Sequence, residues 1–330
     1  MTGKSKKTIF WDKLPRPFFV LAPMANVTDC VFRKLFAKYG KPNVTWTEFV
    51  SADGLASAGS KRLLIDLKYS PKERPIVAQL FTGHPIAMKK AAALAKKLKF
   101  DGVDINMGCP DRSVEKQGGG AAMIKAPASA LAVLAAARAG FGGPVSVKTR
   151  IGYNKVDLSW IESLLKQDLP ALTVHLRTRK EMSDVPAHWE LMPEIVALRD
   201  RISPQTLIIG NGDVVSMADA RDKVRKSGCD GAMIGRGIFG KPWFFEKKSR
   251  ERTPLERLKA LVEHAKLFDG EFCGKKDVKS FAVMRKHFKA YISGWDGTKE
   301  LRAELMLAEN AREVAATVKK YLKSSGAMLK

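Results

Sequence analysis

Between residues 17 and about 240, short apolar runs rich in β-branched residues alternate with longer stretches of helical period. The strand-like runs lie at 18–22, 44–47, 76–80, 102–106, 145–148, 172–175, 207–210 and 232–235. Helical patterns fall between most of them, at 86–98, 128–139, 158–167 and 217–226. Eight parallel-type strands, each followed by a helix or helical connection, predict an α/β fold of the (β/α)8, or TIM-barrel, type. A doubly wound sheet is the competing architecture. It is disfavoured because no G-x-G-x-x-G follows the first strand.

After Trp243 the strand-like runs stop and amphipathic helices take over. Thr253-Pro254-Leu255-Glu256 reads as an N-cap, a proline at the first helical position and a capping-box glutamate. A last helix is expected over 299–323, where Leu301, Leu305, Ala308, Ala315, Val318 and Leu322 recur at helical period. The expected division is a basic N-terminal extension over 1–16, a barrel over 17–243 and a small all-α bundle over 244–330.

Charge adds a partner to this picture. The 330 residues hold 58 Lys+Arg against 34 Asp+Glu, a formal net charge of +24. Residues 241–330 account for +9 of it, leaving +15 on the rest of the chain. With 45% hydrophobic residues the chain is no disordered basic tail, so the surplus indicates a polyanion, nucleic acid or an anionic membrane surface. No apolar run approaches the roughly 18 residues of a membrane span, and no apolar core follows the basic N-terminus as in a secretory signal. Cys30, Cys109, Cys229 and Cys273 are far apart and fit no metal spacing. A cytosolic protein without a disulfide scaffold is expected, and the scattered histidines suggest no metal site.

In a barrel of this kind the reactive residues sit at the C-terminal ends of the strands. Those positions hold Pro23 and Met24, Gln79, Asn106 and Cys109, Lys148 and Arg150, His175 and Arg177, Asn211-Gly212-Asp213, and Gly235-Arg236-Gly237. Cys109 lies in a turn between Gly108 and Pro110, where a thiol serves as an acid or as a nucleophile precursor; the alternative is a packing residue. Gly118-Gly119-Gly120 reads as a hinge or as a plain turn. Lys148 sits inside a strand pattern, costly unless an anion meets it or it reaches solvent. The glycine loops after the last two strands, with Lys148 and Arg236, describe a site for a phosphate-bearing cofactor. His175 reads as a ligand to a ring or as a hydrogen-bonded core histidine.

These segments resemble the dihydrouridine synthases, flavin enzymes that reduce uridine in transfer RNA. The resemblance rests on Leu21-Ala22-Pro23-Met24, Thr47-Glu48-Phe49-Val50, Gln79-Leu80-Phe81 and Asp104-Ile105-Asn106-Met107-Gly108-Cys109-Pro110. It continues through 145–150, His175-Leu176-Arg177-Thr178-Arg179, 210–213, 228–237 and Arg285-Lys286-His287. It implies FMN held by Pro23, Met24, Gln79, Lys148 and His175, with its phosphate at Asn211, Gly212, Asp213, Gly235 and Arg236. It further implies NADPH as reductant, hydride transfer from flavin N5 to uracil C6, and protonation of C5 by Cys109. Asn106 and Arg177 would meet the uridine, which must be flipped out of its stack, and Arg285, Lys286 and His287 the RNA.

Ser183, Val185, Leu176 and Ser113 depart from the family pattern, which places the contacts to the target nucleotide in question. Two rival readings follow from the same residues. One is an FMN barrel oxidoreductase acting on a small molecule, such as a dihydroorotate dehydrogenase; the other is a non-catalytic RNA-binding barrel. The size of the positive charge argues against the first, and the set Cys109, Lys148 and His175 against the second. A monomer that binds transfer RNA and no membrane is the expected form.

Overall fold

The structure, a computed structural model, describes residues 8–324 apart from 59, 249, 274–277 and 296. Its eight strands are β1 (Phe18–Leu21), β2 (Thr45–Ser51), β3 (Ile76–Phe81), β4 (Gly102–Met107), β5 (Val145–Arg150), β6 (Ala171–His175), β7 (Leu207–Asn211) and β8 (Gly231–Ile234). All pair in parallel, in the order β1-β8-β7-β6-β5-β4-β3-β2. A bridge between Val20 and Val44 joins the two ends, with the Leu21 amide donating to the Val44 carbonyl at 3.3 Å. The sheet is therefore a closed barrel.

Helices Pro85–Lys97, Pro127–Phe141, Leu158–Leu165 and Met217–Ser227 occupy the expected segments. Local chemistry starts and stops them. Proline opens the first two, the Asp157 and Ser216 side chains cap the other two, and Gly142 ends the second at φ +66°. Among the described residues, no helix is long and apolar enough to cross a membrane.

The structure adds detail at both ends of the chain. Residues Phe10–Lys13 form a 3-10 turn that places Trp11, 2% exposed, among Phe18, Trp46 and other side chains from the N-terminal ends of the strands. That stretch stoppers the bottom of the barrel; residues 1–7 of the expected extension lie outside the described residues. The helix expected over 299–323 is two, Thr298–Leu307 and Ala311–Ser324. Ala308 turns extended at ψ 132°. The Asn310 side chain then caps the Glu313 amide at 3.0 Å, and Asp269 of the helix Pro254–Phe272 accepts from the Ala311 amide at 2.9 Å.

The helix Pro254–Phe272 begins with the expected capping box between Thr253 and Glu256. The core of the bundle includes Cys30 and Val31 from the barrel helix Cys30–Tyr39, so the bundle is docked through shared apolar burial. Lys279 reinforces the seam, its ammonium 2.7 Å from carboxylate oxygens of both Glu48 and Asp66.

His287, expected on RNA, is fully buried in this seam. Its ring stands edge-on to Phe32 at 4.9 Å and to His264 at 4.6 Å, and neither ring nitrogen has a hydrogen-bond partner among the described residues. Its neighbours Arg285 and Lys286, by contrast, are exposed. The reason is helical spacing: His287 shares the inward face of Arg285–Tyr291 with Phe288 and Tyr291.

Burial pushes His287 down to about 3 and carries His264 well below the usual imidazole value. A histidine that folds neutral contributes stability above the unfolded value of about 6.5, and loses it as pH falls toward the folded value. Thermal melts should therefore show stability falling from pH 6.5 downward, by up to about 1.4 kcal/mol per pH unit for each such histidine. His287→Phe should flatten that slope; an unchanged slope would contradict the assignment.

Candidate active site

Because every strand runs in the same direction, the C-terminal ends form one ring, and a cavity of about 680 Å³ opens there. All the residues expected around a cofactor line it, together with Asn106, Cys109 and Arg177. Arg285 and Lys286 are not in this cavity; they sit on the bundle.

β4 delivers the thiol. After Met107 the chain turns, and the Asn106 side-chain oxygen accepts from the amides of Gly108 at 3.1 Å and Cys109 at 2.9 Å. The Cys109 carbonyl accepts from the Ala121 amide at 2.9 Å. At Gly120, φ +58°, a Cβ would lie 2.5 Å from that carbonyl. The glycine run thus permits close packing against the Cys109 turn, the turn reading of the two. Burial raises the Cys109 thiol above its usual value, opposed by a hydrogen bond from the Asp111 backbone and by the charges of Lys148 and Arg150, while the Asp111 carboxylate adds to the rise. At neutral pH the group is a half-buried, protonated thiol.

β5 delivers two cations. The Lys148 ammonium has no hydrogen bond or ion pair among the described residues, and the side chain lines the cavity. Burial, then the charge of Arg150, pushes it down to about 8, so most of it remains charged at neutral pH. Arg150 instead works as a brace. Its Nε donates to the Gly108 carbonyl at 2.8 Å, and Nη1 to the carbonyls of Thr178 at 2.9 Å and Met182 at 3.0 Å. It ties the Cys109 turn to the loop after β6.

β6 and β7 supply a linked trio. His175 Nε2 lies 3.3 Å from Arg177 Nη1; a guanidinium can only donate, so Nε2 accepts and Nδ1 carries the proton. Burial, with the surrounding Lys148, Arg150, Arg177 and Arg236, keeps this imidazole neutral. Asp213 accepts from Arg177, from the Ala187 amide at 2.8 Å and from Arg236 at 2.9 Å. Burial works against its ionisation, yet these partners hold the carboxyl below its usual value. Asp213 therefore orients two arginines. Asn211 likewise braces β7 to β8, donating to the Met233 carbonyl at 2.8 Å. At Gly212, φ +131°, a Cβ would fall 2.6 Å from Ala187 Cβ, and at Gly237 2.3 Å from the Val214 carbonyl. Bare backbone is required at both turns.

The sequence reading missed Asp104 and Ser146, buried inside the barrel. The overlooked signal was an ionisable side chain in an otherwise apolar strand, which needs a partner. Of the departures from the family pattern, Ser183 lines the cavity rim and the Val185 carbonyl accepts from Arg177 Nε at 2.6 Å. Leu176 is packed in the core, and Ser113 bonds Asp111 beside the Cys109 turn.

The model of the dihydrouridine synthase family matches residues 20–325. The chain belongs to that family. It is accordingly a flavin-dependent oxidoreductase. A probable tRNA-dihydrouridine synthase of Staphylococcus aureus (strain COL) is 41% identical over 318 residues, 96% of each chain. The probable tRNA-dihydrouridine synthase 2 of Bacillus subtilis (strain 168) is 43% identical over 320 residues, 95% of this chain and 98% of its own. Among solved structures, a 2-naphthoyl-CoA reductase complex aligns with TM-score 0.51 at 9% identity, over 69% of this chain and 49% of its own. The amine oxidase for 6-hydroxypseudooxynicotine from Pseudomonas geniculata N1 aligns with TM-score 0.50 at 14% identity, over 86% and 54%. Those two likenesses concern the fold.

The cavity suits an anionic flavin. Lys148, Arg150, Arg177 and Arg236 outnumber the single carboxylate of Asp213 on its walls, Gly212, Gly235 and Gly237 line it without side chains, and its volume lies in the range of cofactor sites. Removing the ammonium that has no internal partner should weaken flavin retention most directly. Lys148→Met is expected to raise the flavin dissociation constant about 10- to 100-fold, the worth of one charge-assisted hydrogen bond. Flavin fluorescence on dilution measures it, and retention equal to the parent protein would refute the contact.

Proposed function

We propose that the protein reduces uridine in transfer RNA to 5,6-dihydrouridine, using FMN as the flavin and NADPH as the reductant. The observation that carries this reading is the protonated Cys109 thiol at the rim of a strongly cationic barrel mouth. FMN, when bound and reduced, supplies the hydride that saturates uracil C6. Cys109 holds the complementary proton and releases it to C5; a raised thiol pKa keeps that proton in place at neutral pH. Lys148 and the Asp213–Arg236 pair would hold the cofactor's polar edge and phosphate, and His175, neutral, presents Nδ1–H as a donor. Asn106 and Arg177 face the base that is flipped into the mouth. Names of relatives that describe tRNA-dihydrouridine synthases support the same substrate.

The remaining charge serves the RNA backbone. Arg285 and Lys286 are exposed on the bundle, and the +24 surplus spreads over both parts of the chain. The protein acts as a monomer in the cytosol.

Mapping dihydrouridine in transfer RNA from cells with and without the gene tests the function. Loss at one or more positions is expected; an unchanged map refutes it. Cys109→Ala should retain flavin and its reduction by NADPH while losing about 10²- to 10⁴-fold in uridine reduction, the usual worth of a positioned acid. Replacing Arg285 and Lys286 together with alanine should weaken RNA binding and make the log–log salt dependence shallower by about two, one per lost phosphate contact. Filter binding across a salt series reads this directly, and an unaltered slope would remove both residues from the interface.

A further inference from the structure

Beneath the cavity a buried line of hydrogen bonds runs from the barrel interior to the thiol. Ser146 Oγ donates to Asp104 Oδ1 at 2.5 Å, and Gln79 Nε2 donates to Asp104 Oδ2 at 2.7 Å. Asn106 Nδ2 donates to Gln79 Oε1 at 3.2 Å, and Asn106 Oδ1 accepts the amides of Gly108 and Cys109. Asp104 and Gln79 are fully buried, and Asn106 is 6% exposed.

The direction of this line is fixed from both ends. The backbone amides of Gly108 and Cys109 can only donate, so Asn106 must turn its oxygen to them and its NH₂ to Gln79. Gln79 must then offer its oxygen to Asn106 and its NH₂ to the next residue. That residue has to be an acceptor, and a carboxylate oxygen of Asp104 is one. An apolar group there would leave the Gln79 NH₂ buried without a partner, and rotation of the Gln79 amide would set two NH₂ groups against each other. Either outcome reaches the Cys109 turn through Asn106.

We propose that Asp104 is a positioning residue for the proton donor: by accepting from Gln79 it fixes the polarity of the Gln79 and Asn106 amides, and thereby holds the turn that presents Cys109. Asp104 touches neither substrate nor thiol and acts through two neutral amides. The inference rests on the reading of Cys109 as the acid for its functional meaning, while the relay itself is tested without activity.

The test is peptide-resolved alkylation of Cys109 by iodoacetamide across pH in the purified holoprotein, with the two half-reactions measured alongside. Asp104→Leu should loosen the turn and speed Cys109 alkylation about tenfold at fixed pH, the effect of one unit in thiol pKa. Reduction of the bound flavin by NADPH should persist while uridine reduction falls. Asp104→Asn can still turn an oxygen to Gln79 and its NH₂ to Ser146 Oγ, so it should recover most of the parent alkylation rate. Unchanged alkylation in Asp104→Leu overturns the relay, and so does a failure of Asp104→Asn to recover, because charge and not acceptor direction would then matter. Should Asp104→Leu not fold, Gln79→Leu breaks the same line one step closer to the thiol and is read by Cys109 alkylation alone, because Gln79 also lines the cofactor cavity. In the double variant Asp104→Leu, Cys109→Ala the loss of uridine reduction should match Cys109→Ala alone; an additive loss overturns positioning through Cys109. Full uridine reduction in Cys109→Ala instead sinks the functional reading and leaves the alkylation result standing.

Discussion

Closing an eight-stranded parallel sheet on itself is the constraint from which the rest of this molecule follows. The Val20–Val44 bridge leaves no sheet edge, so strand backbones are satisfied and their side chains must face either the helices or the barrel interior. With all strands parallel, every C-terminal end arrives at one rim. Residues far apart in the chain, from Pro23 to Arg236, become neighbours there.

Crowding cations at that rim costs free energy, and the molecule meets the cost unevenly. Arg177 and Arg236 share Asp213, and Arg150 spends its donors on three backbone carbonyls. Lys148 has no such internal partner among the described residues. The same electrostatics holds His175 neutral, while burial keeps the Cys109 thiol protonated. A rim that stabilises an anion and preserves a proton donor is a consequence of which charges are compensated and which are left for a ligand.

The bundle is a second solution to burial. Its core continues across Cys30 and Val31 of the barrel, and the Lys279 contacts to Glu48 and Asp66 add a buried ionic seam. Burial pushes Glu48 up to about 7, with Lys279 opposing the rise. His287, with no hydrogen-bond partner among the described residues, and His264, bonded through Nδ1 to the Tyr291 hydroxyl at 3.4 Å, pack into the same seam and tie its integrity to pH. Arg285 and Lys286, on the outer face of the helix that carries His287, remain turned to solvent.

Much of this was legible in the amino-acid order because it is local. Apolar runs, prolines, capping residues and glycines mark strands and helices within a few positions, and strand-end residues are adjacent in sequence to the strands that aim them. Even the break at Ala308–Asn310 had a local mark in Asn310 and Glu313, masked by an apolar period that continued through it. What the chain order could not decide depends on partners brought from far away. Trp11 became a barrel stopper because Phe18 and Trp46 converge on it, and the helical face that carries His287, Phe288 and Tyr291 turned inward because Phe32 and His264 form the wall it meets. Asp104, Gln79 and Asn106 acquired a direction only when the register of β3 against β4 set Gln79 beside Asp104. Periodicity specifies which face of an element is apolar; only the packed structure specifies which donor meets which acceptor, because hydrogen bonding depends on a few tenths of an ångström between segments the sequence keeps apart.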